Sequence, residues 1–156
     1  MSKTFDLHAG NSEFYVDPTY YDYEFKSRTE DVGWYVQQYL NAGSTVLELA
    51  IGSGRIALKA VAMGVDVVGI DLAPAMLTQA KAHYEKLNKA KRGRLDIFRA
   101  DMRVFQLDQK FDLITCPFNA FQHLYTRDDV EACLARVRAH LAPGGRFILD
   151  VLTPDF

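Results

Sequence analysis

Short apolar runs alternate along the chain with longer segments of mixed polarity. Thr45–Ala50 (TVLELA), Asp66–Ile70 (DVVGI), Arg94–Arg99 (RLDIFR), Phe111–Cys116 (FDLITC) and Arg146–Val151 (RFILDV) read as strands. Helix signals lie between them. Residues 54–63 are closed by Gly64, and Pro74 opens a helix to about residue 88 at its first turn. Thr126, with Asp129 three residues on, resembles a capping box and opens a helix to about residue 141. The APGG of Ala142–Gly145 reads as a turn. Upstream, Thr29 is placed to cap a helix through Val32, Trp34, Tyr35, Val36, Tyr39 and Leu40 that ends at Gly43, with Trp34 in the core. The first 25 or so residues are rich in aromatics (Phe5, Phe14, Tyr15, Tyr20, Tyr21, Tyr23, Phe25) without a helical or strand period.

Most of these strands are unbroken apolar runs rather than strict alternations, which is what a parallel sheet covered on both faces requires. Right-handed crossovers then give an α/β, doubly wound, mainly parallel sheet of five strands. A chain of 156 residues makes one domain. Within 1–156, residues 1–42 read as an N-terminal aromatic lid and helix, and 43–156 as the Rossmann-like core. Hydrophobic residues at 49% and charged residues at 24% exclude a disordered chain. A net charge of −2 offers no global attraction to nucleic acid or an anionic membrane. No apolar run approaches the ~18 residues of a membrane span, and the N-terminus lacks a signal-peptide core, so a soluble cytoplasmic protein is expected. Cys116 and Cys133 make no disulfide framework, and no His/Cys cluster has metal spacing.

Open α/β sheets bind ligands outside the carboxyl ends of their strands. The first such segment holds Gly52-x-Gly54-x-x-Ala57, with Asp71 at the end of strand two, 19 residues after Gly52. Glycines let a ligand approach the backbone, and a carboxylate after strand two suits a ribose diol. A tight strand-to-helix turn is the alternative reading of the glycines, and Asp71 could cap the next helix. Glu48, four residues before Gly52, changes the picture. A carboxylate there would repel a pyrophosphate but suit a cationic ammonium, directly or through water.

The Glu48-x-x-x-Gly52-x-Gly54 spacing, with Asp71 beyond it, resembles the class I S-adenosylmethionine-dependent methyltransferases. Asp71-Leu72-Ala73-Pro74-Ala75-Met76-Leu77 looks like that family's second motif, Ala100-Asp101-Met102 like its third, Phe111–Cys116 like its fourth strand, and Leu141–Gly145 like the turn before its fifth. The likeness covers roughly residues 20–153. It implies a Rossmann-like fold and S-adenosyl-L-methionine as cofactor, with S-adenosyl-L-homocysteine as product. Asp71 would bind the ribose hydroxyls, Asp101 and the Met102 amide would meet the adenine, and Met76 would pack against it. Tyr21 would close over the sulfonium and Arg28 pair with the methionine carboxylate. Ala50, Leu72 and Cys116 complete the implied cofactor shell. As bland alternatives, Asp101 could be a solvated turn residue, Met76 core, and Tyr21 and Arg28 surface or lid packing.

On the acceptor side, Cys116-Pro117-Phe118 departs from the Asn/Asp-Pro-Pro-aromatic of similar enzymes that methylate nucleic-acid bases. With the net charge, this argues against a nucleic-acid acceptor. Phe118–Leu124 resembles instead small-molecule N-methyltransferases, including the amino-sugar N,N-dimethyltransferases. The resemblance implies catalytic roles for His123 and, in a looser register, Tyr15, with a small-molecule acceptor methylated on N or O. Two other functions fit parts of the pattern: an NAD-dependent oxidoreductase and a non-catalytic S-adenosylmethionine-binding module. Proteins resembling this one carry seven strands, so strands six and seven are expected to be missing here. Strand five would then be an apolar edge that invites self-association or a partner segment.

Overall fold

A computed structural model describes residues 15–153; Phe5 and Phe14 of the aromatic segment, and residues 154–156, lie outside the described residues. Five strands, β1 (Val46–Leu49), β2 (Val67–Asp71), β3 (Leu95–Arg99), β4 (Phe111–Cys116) and β5 (Leu141–Leu149), form one sheet in the order β3-β2-β1-β4-β5. Every pairing is parallel. The expected doubly wound α/β sheet is therefore present, and its order reverses between β1 and β4. That switch point places the carboxyl ends of β1, β2 and β4 around one crevice.

Alternate strand residues feed two core layers, as the pleat dictates. Val46, Val67 and Leu113 pack with Tyr35 and Tyr39 of α2 (Glu30–Ala42) and with Ala57, Ala60 and Val61 of α3 (Ala57–Ala62). Leu47, Leu49, Ile70 and Ile114 face the other way, onto Cys133 and Val137 of α5 (Arg127–His140). α4 (Pro74–Glu85) covers the first layer through Leu77 and Tyr84. α5 starts where the sequence indicates: the Thr126 hydroxyl accepts from the Asp129 amide at 3.1 Å.

Several elements depart from the sequence reading. The aromatic segment contains a helix, α1 (Pro18–Phe25), capped by Asp17, whose Oδ1 accepts from the Thr19 and Tyr20 amides at 3.0 Å each. Thr29 occupies the cap position of α2, but its side chain makes no cap hydrogen bond. Trp34 is 54% exposed rather than core, because α2 turns Tyr35, Val36 and Tyr39 inward. α3 begins at Ala57, not at residue 54, since Gly52 and Gly54 adopt left-handed conformations incompatible with a helix. The APGG segment is absorbed into β5 as a bulge: Leu141 pairs with Phe111, and pairing resumes with Arg146 opposite Leu113. A Cβ on Gly145 would lie 2.9 Å from the Phe111 carbonyl oxygen, so the bulge needs glycine there. Among the described residues, β5 is an edge strand and no helix is long and apolar enough to cross a membrane.

Candidate functional site

The turn after β1 is left-handed at three residues, Ala50 (φ 54°), Gly52 (φ 59°) and Gly54 (φ 86°). For alanine this conformation costs roughly 1–3 kcal/mol, strain that folds tolerate mainly at functional sites. Asp71, at the end of β2, fastens the turn. Its Oδ2 accepts from the Gly52 amide and its Oδ1 from the Ala73 amide, both at 2.8 Å. One carboxylate thus joins the loops of two adjacent strands. Burial pushes its carboxyl above the usual range, and the two amides work against that shift. A Cβ on Gly52 would sit 3.3 Å from the Met76 methyl, so glycine leaves room for a ligand over a buried methionine.

A cavity of about 710 Å³ opens over these strand ends. Ala50, Gly52 and Met76 line its floor region, Asp71 and Leu72 one side, and Asp101 and Met102 the loop after β3. Asp101 is gripped by Arg103, which donates Nε at 3.0 Å to each carboxylate oxygen and Nη2 at 2.6 Å to Oδ2. Arg103 Nη1 also donates to Asp129 Oδ1 at 2.7 Å, tying this loop to the start of α5. The Arg103 hydrogen bonds hold the Asp101 carboxyl below its usual range.

A further part of the cavity lining is aromatic. Tyr15 Oη lies 2.8 Å from His123 Nε2, and Tyr125 Oη lies 3.3 Å from His123 Nδ1. Tyr15 packs on Tyr21, and Tyr21 on Phe25, which meets the Phe118 ring edge-to-face at 4.9 Å. Burial lowers the His123 pKa below its ordinary value, with Asp71 opposing weakly, and burial raises the Tyr15 and Tyr21 phenols. All three groups are therefore neutral at pH 7, able to hydrogen-bond or move a proton without a fixed charge. Phe118 and Asn119 follow β4 with φ 59° and 58°, and their amides donate to Asp150 Oδ1 at 2.7 Å and Oδ2 at 2.9 Å.

Comparison with known proteins bears directly on this arrangement. A family model described as a methyltransferase domain matches residues 46–145, the stretch from β1 into the β5 bulge. This chain belongs to the methyltransferase domain family. Over 81% of its length it is 26% identical to the dTDP-3-amino-3,4,6-trideoxy-alpha-D-glucopyranose N,N-dimethyltransferase of Streptomyces venezuelae, and covers 50% of that protein. It is 33% identical, again over 81% of its length, to the glycine/sarcosine N-methyltransferase of Halorhodospira halochloris, and covers 47% of it. The chain thus spans about half the length of the relatives it matches. Among solved structures, the S-adenosylmethionine-bound amino pentose methyltransferase CalS10 of Micromonospora echinaspora superposes with a TM-score of 0.69 at 30% identity. That match covers 85% of this chain and 56% of that one.

In this methyltransferase domain, eight of the twelve residues singled out for the cofactor line the cavity: Tyr21, Ala50, Gly52, Asp71, Leu72, Met76, Asp101 and Met102. Tyr15 and His123 line it too, and meet each other. Glu48, Gly54, Arg28 and Cys116 are not among the lining residues. Glu48 is only 2% exposed and accepts from the Tyr39 hydroxyl at 2.6 Å. Burial pushes its carboxyl up to about 8, against the hydrogen bond from Tyr39, so the negative charge that the sequence reading needs is disfavoured there. Gly54 serves the turn: a Cβ there would lie 2.7 Å from Leu58 Cδ1. Arg28 is exposed, its guanidinium 5.7 and 6.0 Å from the Phe25 and Phe118 ring centroids. Cys116 is fully buried, and burial raises its thiol well above the ordinary range.

Four residues escape sequence reasoning. Arg103 sits only two positions after Asp101, a spacing a pattern search would not single out. Arg55 pairs bidentately with Asp31 at 2.9 and 2.6 Å and lies 4.2 Å over the Phe118 ring, a contact between segments distant in sequence. Tyr125, two residues after His123, and Asp150, at the end of the fifth apolar run, stand in positions the strand-end rule covers. That rule identifies where to look but not which side chain turns inward.

Proposed function

We propose that this methyltransferase domain binds S-adenosylmethionine in the cavity above β1, β2 and β3 and moves its methyl group to a small-molecule amine at the Tyr15–His123 end. The observation that carries this reading is the pairing, in one cavity, of two built ends. At one, Asp71 locks the glycine turn and still offers free lone pairs toward a ribose diol. At the other, neutral Tyr15 and His123 meet beneath an aromatic cover. Asp101 and Met102 stand beyond Asp71, where an adenine would follow its ribose. Tyr21 presents a π face to a sulfonium. An amine must be neutral to attack a methyl carbon; neutral His123, beside the Tyr15 hydroxyl, can accept a hydrogen bond from the amine or take its proton and become an imidazolium, which the nearby Asp71 favours. Transfer itself is an in-line displacement dominated by proximity and orientation.

The relatives that act on amino sugars or on glycine and sarcosine make an amine the favoured acceptor class over a hydroxyl. The reading includes a cytoplasmic setting, in keeping with two free, buried cysteines. It also includes pairing of β5 with another strand, from a second copy or from a further segment. Residues 146–149 are regularly paired on one side and hold neither Pro nor Lys.

Radiolabelled S-adenosylmethionine incubated with dTDP-3-amino-3,4,6-trideoxyglucose, glycine and sarcosine tests the activity. Label should pass to at least one of these amines, and His123→Ala should slow it by about 10²-fold or more while S-adenosylhomocysteine still binds. Tight cofactor binding with no transfer to any of them would favour the non-catalytic module instead.

A further inference from the structure

The Asp150 carboxylate takes no part in the reading above and is not among the residues that line the cavity. It stands just past β5 and gathers three donors from two other segments. The Phe118 amide reaches Oδ1 at 2.7 Å, the Tyr35 hydroxyl reaches the same oxygen at 2.6 Å, and the Asn119 amide reaches Oδ2 at 2.9 Å. The two amides belong to consecutive left-handed residues. Asparagine tolerates that conformation, whereas phenylalanine adopts it rarely because its Cβ crowds the following carbonyl. Two neighbouring N–H groups turned toward one anion are the ordinary way a chain holds so unfavourable a turn.

The conformation has a consequence in the cavity. It sets the Phe118 ring edge-to-face on Phe25, the last residue of α1, and beneath Arg55. α1 has no fully buried residue of its own; this ring contact, together with the contacts of Asp22 to Ser53, Gln79 and His83, sets its position. The ring contacts run onward from Phe25 to Tyr21 and Tyr15, and Tyr15 reaches His123.

We propose that Asp150 is a positioning residue for the reacting end of the cavity: it holds the Phe118–Asn119 turn left-handed and thereby docks α1, with Tyr21 and Tyr15, over the site. Tyr35 holds Asp150 in place from α2, so the clamp joins α2, β5 and the turn after β4. The effect on methyl transfer rests on the function proposed above; the effect on the turn and on α1 does not.

The test compares wild type, Asp150→Asn, Asp150→Ala and the double variant Asp150→Ala/Asn119→Gly. Amide exchange at 118–119 and NOEs between the Phe25 and Phe118 rings report the turn without any turnover. Asp150→Ala should lose the ring contact and speed exchange at least tenfold, and Asp150→Asn should do so partially. Glycine at 119 relieves only the Asn119 share of the left-handed penalty and leaves that of Phe118, so the double variant should recover ring contact in part, which a carboxylate that merely anchored the end of β5 would not allow. On any probe amine the wild type methylates, Asp150→Ala should lower the rate at saturating cofactor about 10²-fold, the size of effect a misplacement of ~1 Å produces, with a much smaller change in S-adenosylhomocysteine affinity. Unchanged ring contacts and exchange in Asp150→Ala would overturn the proposal, as would a double variant no better than the single one. If Asp150→Ala fails to fold, Asp150→Asn decides by the same two readouts. Absence of methyl transfer in the wild type would count against the functional reading alone and leave the turn measurement decisive for the clamp.

Discussion

Asp71 accepts from the Gly52 and Ala73 amides while facing the cavity, so its removal should show in both binding and stability. Charge-assisted hydrogen bonds contribute roughly 1.5–3 kcal/mol each. Asp71→Ala should therefore weaken S-adenosylhomocysteine binding at least tenfold by calorimetry and lower the unfolding midpoint as the turn after β1 loses its anchor. Affinity equal to wild type in a folded variant would exclude a ribose contact. Glu48 has a separate pH signature. Its carboxyl, raised by burial to about 8 from an ordinary 4.5, binds more protons in the folded state than in the unfolded one between those values. Its contribution is fully present below the ordinary pKa and is lost as pH rises through 8, at a limiting slope of about 1.4 kcal/mol per pH unit. Urea midpoints of the wild type should fall relative to Glu48→Gln between pH 5 and 8. Parallel curves would mean that Glu48 is ionised in the fold.

At the scale of elements, α1 is eight residues long with no fully buried residue, and it is held by its cap, by ring contacts and by Asp22, which accepts from Ser53 Oγ and from Gln79 Nε2 at 3.3 Å and faces His83 Nε2 at 3.7 Å. Removing a side-chain cap costs about 1 kcal/mol. Asp17→Ala should make α1 the fastest-exchanging helix by hydrogen–deuterium exchange and leave β1 and β2 unchanged; protection in α1 equal to wild type would show that the ring and Asp22 contacts suffice. The same helix shows where reading the sequence stops. β1, β2 and β4 are buried apolar runs and were legible, as were Asp71 and the glycine turn, because short-range steric rules act on them. α1 is absent from the sequence reading because its aromatics follow no period; Asp17-Pro18, a cap followed by a first-turn proline, is the signal that marks it. The APGG segment looked like a turn because nothing local reveals that the Phe111 partner lies across a bulge. The resemblance places Arg28 at the methionine carboxylate, with lid packing as the alternative; its exposed side chain lies near the Phe25 and Phe118 rings. The Asp150 clamp spans 31 and 32 residues to its amide donors, a separation at which no sequence pattern operates.

For the whole molecule, the sheet order puts the ends of β1 and β4 at the switch point, with those of β2 and β3 following outward from β1 along the cavity, and leaves β5 with one paired side. The β5 bulge, with Pro143 inside it, blunts the first half of that edge; residues 146–149 leave the second half regular. Light scattering across micromolar concentrations should show mass rising with concentration, and Arg146→Pro should suppress it. A concentration-independent monomer would mean the edge is not used. The central claim, however, is the cofactor, and the glycine turn by itself fits a dinucleotide as well. Calorimetric titration of the wild type with S-adenosylhomocysteine and, separately, with NAD distinguishes the two most directly. Saturable one-to-one binding of S-adenosylhomocysteine with no heat from NAD is the predicted result; binding of NAD alone would contradict it.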